Sequence, residues 1–116
     1  TKYVIGVQSN SMVFIETPIF TKVISELLSD TEYVALQETL ISRPDMGPVM
    51  KNSGGIRKVR WKTSETGKSS GIRVIYYWIT NEDKLFMLYA FAKSEQTTLS
   101  GKQLQALRDI VGKWPK

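Results

Sequence analysis

The chain has 116 residues, 41% hydrophobic and 23% charged, with neither cysteine nor histidine. Such a length and balance predict one ordinary globular domain. The missing residue types exclude disulfides, thiolate catalysis, any histidine-dependent triad and the usual zinc ligands.

The net charge of +5 and the pI of about 9.5 point to a polyanionic partner. Nucleic acid, an acidic protein segment and an anionic membrane surface all fit that description. No apolar run approaches the roughly 20 residues of a membrane span, and VIGV is too short for a secretory core. A soluble, cytoplasmic protein without a membrane partner is therefore expected. The charge is unevenly spread. Residues 1–47 carry three basic and six acidic side chains, whereas residues 48–93 carry nine and three. The electropositive surface must come from the middle of the chain.

Residues 1–11 read as an N-terminal extension, either an added strand that folds back onto MVFIE through the turn-like QSNS or a variable start with no structural role. Residues 12–116 read as a single domain. MVFIE (12–16) is a short strand. Thr17-Pro18 offers an N-cap and a first-turn proline, and Ile19, Phe20, Val23, Ile24, Leu27 and Leu28 follow helical spacing. Ser29-Asp30 caps a second helix carrying Tyr33, Leu36, Leu40 and Ile41. That helix ends at Arg43-Pro44, because the residue before proline leaves helical space.

Residues 44–55 are loop. Strands are expected over Ile56–Lys62, Ile72–Ile79 and Leu85–Phe91, with a turn at Asn81–Lys84, and a final helix over Gly101 to Trp114. The fold class is α+β, in the order β-α-α-β-β-β-α. Its three sequential strands should pair antiparallel, with helices packed on the sheet.

Strand alternation sorts the charges. Lys58, Arg60 and Lys62 share one face of the first long strand, and Arg57, Val59 and Trp61 share the other. Arg73 shares its face with Ile75, Tyr77 and Ile79. Simple alternation groups Leu85, Met87, Tyr89 and Phe91 against Phe86, Leu88 and Ala90. The last two strands are apolar on both faces, so they are expected at the centre of the sheet. The basic face of the first cannot be core without partners.

Lys68 lies in the intervening loop SETGKSSG, whose glycines permit close phosphate approach. Guanidinium forks suit phosphate oxygens. Trp61, Tyr76, Tyr77 and Trp78 are candidates for base stacking or, as most such aromatics are, for sheet packing. Glu95 reads as a partner for Lys93 or a turn cap. A solvated basic face that holds an acidic partner accounts for the same residues equally well.

GGIRKVRW, GKSSGIRVIYYW and LYAFAKSEQ, followed by an amphipathic C-terminal helix, resemble the RelE/HigB family of bacterial toxins. MVFIETPIF with SDTEYVALQ resembles the start of the HigB branch. The resemblance covers about residues 12–114. It implies a microbial-ribonuclease-like fold and an endoribonuclease that cuts mRNA in the ribosomal A site. It also implies that the chain works without metal, histidine or cofactor, and that an antitoxin neutralises it. The partners implied are a cognate antitoxin, mRNA and the ribosome.

Carried over by motif, the catalytic residues fall on Lys58, Arg60, Lys68, Arg73 and Lys93. Arg57, Lys62, Trp61 and Tyr77 are RNA-binding candidates. Crowded cations favour a neutral lysine, which would suit Lys58 or Lys68 to general-base work. Ser94 and Lys68-Ser69-Ser70 stand where relatives carry more cations. A gyrase-inhibiting ParE-like relative, a catalytically inactive RNA-binding module and a scaffold for the antitoxin remain alternatives.

Overall fold

The computed structural model describes residues 12–62 and 71–113, together with the backbone of residues 4–7. Its elements are β1 (Val4–Val7), β2 (Val13–Glu16), α1 (Pro18–Leu27), α2 (Asp30–Ser42), β3 (Arg57–Trp61), β4 (Ile72–Ile79), β5 (Lys84–Ala92) and α3 (Gly101–Lys113). The strands form one sheet in the order β1-β2-β5-β4-β3. Only β2 and β5 run parallel; the other neighbours are antiparallel. Val4–Val7 pairs antiparallel with Val13–Glu16.

Local chemistry explains the helix boundaries. The Thr17 hydroxyl accepts the Phe20 N–H at 3.0 Å, and Pro18 opens α1 where no N–H is needed. Ser29 and Glu32 form a reciprocal capping box on α2. Ser100 and Gln103 exchange backbone-to-side-chain bonds of 3.1 and 2.9 Å and do the same for α3.

Helices α1 and α2 cover one face of the sheet. Phe20, Ile24, Leu36 and Leu40 pack there on Phe14, Val59, Val74, Tyr76 and Met87. Helix α3 covers the other face, with Leu107 and Val111 against Ile75, Phe86, Leu88 and Phe91. Each such side chain, fully buried, contributes roughly 1.5–3 kcal/mol of transfer free energy. As expected from their two apolar faces, β4 and β5 are interior strands.

Simple alternation fails along β5. Ile75 pairs with Tyr89, but its neighbour Tyr76 pairs with Met87, so Leu88 is an extra residue. The resulting bulge puts Leu88 and Tyr89 on the same side of the sheet and reverses parity beyond them. Leu85, Met87, Ala90 and Ala92 face α1 and α2, while Phe86, Leu88, Tyr89 and Phe91 face α3. A periodicity of two cannot announce where a residue will be inserted.

Buried Thr17 holds this bulge. Its hydroxyl donates to the Leu88 carbonyl at 2.9 Å, and its N–H donates to the Met87 carbonyl at 3.1 Å. One side chain thus caps α1 and satisfies a carbonyl that the ladder has lost. Thr17→Val keeps the shape and removes both hydroxyl bonds. It should lower stability by about 2–3 kcal/mol, read from the denaturant midpoint, because a cap is lost and a buried acceptor is left orphaned.

Candidate RNA-binding cleft

Strand β3 lies at the edge of the sheet, beside β4, and its register sets Arg60 directly opposite Arg73 and Lys58 opposite Ile75. Both residues of the first pair are cations. Like charges placed opposite one another destabilise a strand pair, so this pairing favours an anion between them. On the other side of β4, Arg73 pairs with Phe91. Lys93 follows two residues later, its N–H donating to the Gly71 carbonyl at 3.2 Å.

Lys58, Arg60, Arg73 and Lys93 line one cleft of about 630 Å³. Met46, Pro48, Val59 and Thr97 complete its described lining, which contains no carboxylate. The ion pairs among the described residues are Arg43–Asp45 and Lys84–Glu82, so none of the four cations is neutralised there. The Glu95–Lys93 pairing expected from sequence is likewise not formed; the Glu95 N–H instead donates to the Ala92 carbonyl in the turn after β5.

Arg73 is only 6% exposed. Among the described residues its guanidinium donates to the carbonyl of Ile72, at a long 3.4 Å. Burial, and then the charge of Arg60, push it below the ordinary arginine value. It remains a cation, since arginine does not deprotonate in proteins. A guanidinium held in this position beside a second cation suits the gripping of an oxyanion.

The cleft wall formed by residues 44–50 is firmly held. The Tyr76 hydroxyl, fully buried, donates to the Pro44 carbonyl at 2.7 Å and accepts the Gly47 N–H at 3.0 Å. The Lys58 N–H donates to the Pro48 carbonyl at 3.1 Å. A Cβ at Gly47 would lie 3.1 Å from the backbone of Lys58, so the wall lies close against the strand. At the opposite end Gly71 has φ +75°, and a Cβ there would be 2.6 Å from the Trp61 carbonyl. Only glycine lets the chain enter β4 at that point.

The other sequence candidates separate. Lys62 is exposed at the end of β3, and with half-buried Trp61 it lines a hollow shared with Arg60 and Arg73. Arg57 points to the opposite face. It donates to the carbonyls of Asp45 at 3.1 Å and Gly47 at 2.8 Å and lies 6.0 Å over the Trp78 ring. It therefore braces the loop, away from the cleft. Tyr77 packs on the α3 face beside Gly55 and does not line the cleft either. Lys68 lies outside the described residues. Sequence reasoning passed over Met46, Pro48 and Thr97, whose role as walls follows from loop closure and carries no local signal.

The fold resembles that of the E. coli toxin RelE, solved in the free state as a double arginine-to-alanine mutant. The TM-score is 0.56 at 13% identity, over 84% of this chain and 94% of that one. At such identity the likeness speaks for the fold alone. The family itself is shown by the sequence match over residues 14–116 to the RelE toxin of the RelE/RelB toxin–antitoxin system. The chain that places four cations in one cleft is thus a member of the RelE toxin family, whose toxins are partnered by antitoxins.

Proposed function

We propose that the protein is an endoribonuclease that cuts mRNA on the ribosome and so stops translation. The observation that carries this reading is the convergence of Lys58, Arg60, Arg73 and Lys93 on one cleft without a carboxylate. The family membership supports it.

In the proposed reaction the RNA 2′-OH attacks its own 3′-phosphate. The O2′–P bond forms and the P–O5′ bond breaks, leaving a 2′,3′-cyclic phosphate and a free 5′-OH. With no histidine in the chain, the proton of the 2′-OH passes to a lysine, Lys58 or Lys68. Arg73 and Arg60 stabilise the charge that builds on the phosphorane oxygens. Lys93, which also lines the cleft, protonates the leaving oxygen or neutralises the phosphate. Between reactions the antitoxin holds the protein inactive.

Arg73→Ala should lower mRNA cleavage by on the order of 100–1000-fold, the usual loss for one charge-stabilising donor. Thermal stability should hold or rise, because the change removes a buried cation facing another cation. The check is to induce each protein without antitoxin, map mRNA 5′ ends and follow growth; a folded Arg73→Ala that remains fully toxic sinks the proposal. Cuts in translated frames support action on the ribosome, whereas DNA damage with intact mRNA points to gyrase.

The attacking group supplies an independent check. A messenger with a single 2′-deoxy position should escape cutting at that position and remain a substrate elsewhere. Cleavage at the deoxy position would rule out the proposed chemistry.

A further inference from the structure

A second hollow of about 340 Å³ adjoins the cationic cleft, and Pro48 and Lys58 line both. Its walls are mainly apolar: Val49 and Met50 on the loop before β3, Leu99 and Leu104 at the start of α3, with the polar Thr98 beside them. Lys58 stands at the end next to the cleft, Lys51 also lines the hollow, and its described lining has no acid.

Both walls are fixed by local bonds. On one side Met50 N–H donates to the Ile56 carbonyl at 2.8 Å, and Val49 bridges to Arg57. On the other, Leu99 and Leu104 flank the Ser100–Gln103 capping box in the positions of a hydrophobic staple. Yet Val49 is 53% exposed. The slot is therefore preformed, apolar and accompanied by positive charge, which is the pattern of a small-molecule pocket with a few orienting polar groups.

We propose that this slot receives the base of the nucleotide next to the scissile phosphate, with Lys51 meeting the following phosphate. The inference rests on the ribonuclease reading of the cleft and extends it to a subsite. A nucleotide has the complementary form, a flat apolar ring system between anionic groups. Continuity through Lys58 lets one strand occupy both hollows. The slot offers apolar walls with few polar atoms, so it should accept purines and pyrimidines alike.

The test uses the intact protein, free of ribosomes, and follows backbone and methyl NMR signals. The probes are adenosine and uridine 3′-monophosphates, with ribose 5-phosphate and inorganic phosphate as base-free controls. Both nucleotides should bind on the order of tenfold more tightly than ribose 5-phosphate and shift the methyl signals of Val49, Leu99 and Leu104. In Val49→Trp, which fills the slot from its exposed rim, that advantage should disappear. If nucleotides and ribose 5-phosphate bind equally at Arg60 and Arg73 while the methyl signals stay still, the slot is overturned and the cleft stands. If no probe perturbs Arg73 or Lys93, the phosphate cleft and the slot both fall.

Discussion

The geometry of the cleft depends on one inserted residue. Were the bulge straightened, with Leu88 kept and every residue in strict alternation, Lys93 would project toward α1 and α2. The bulge shifts the parity by one and sends Lys93 to the side where Arg73, Lys58 and Arg60 already stand. It survives because Thr17 takes up the Leu88 carbonyl while capping α1. A hydroxyl at the start of the first helix thus decides which face of the sheet a lysine 76 positions later presents.

Around that constraint the charges are organised by what surrounds them. Arg60 and Arg73 oppose one another across two strands whose apolar residues already hold them together. Val59 and Val74, paired beside them, are buried in the α1/α2 core. Packing therefore fixes two repelling groups at close range. For the proposed reaction such a site is preorganised: its donors need not be assembled when charge develops on a substrate. Arg57 shows the contrast. One residue from Lys58, on the other face of the same strand, it finds two carbonyls and an aromatic ring and becomes part of the scaffold.

Much of this was legible in the chain. Thr17-Pro18, Ser29-Asp30 and Arg43-Pro44 carry their own boundary chemistry, and the helices begin and end there. The basic face of β3 could be assigned because Lys58, Arg60 and Lys62 alternate with Val59 and Trp61. Arg73 could be placed beside them because a hairpin fixes register locally. The bulge could not be read, since the residues around Leu88 are all apolar and fit either parity. Nor could the fate of Arg57 or Tyr77, because each depends on a loop, residues 44–55, whose path is set by tertiary bonds to Tyr76 and Lys58. The apolar slot escaped notice for the same reason: its apolar walls, Val49 and Met50 against Leu99 and Leu104, lie at least 49 residues apart.

Strand β3 forms one margin of the sheet. An unpaired strand is a template on which another chain can add itself, and natural proteins guard against this with charge. Here the loop covers one end, through the Val49 bridge and the Lys58 N–H bond. At the other end Arg60 and Lys62 stand exposed. The cations of the cleft are therefore also the guards of an adhesive border. Detoxifying the protein by stripping that border of charge trades toxicity for self-association. Replacements that keep the charge and lose the guanidinium fork separate the proposed catalytic role from solubility.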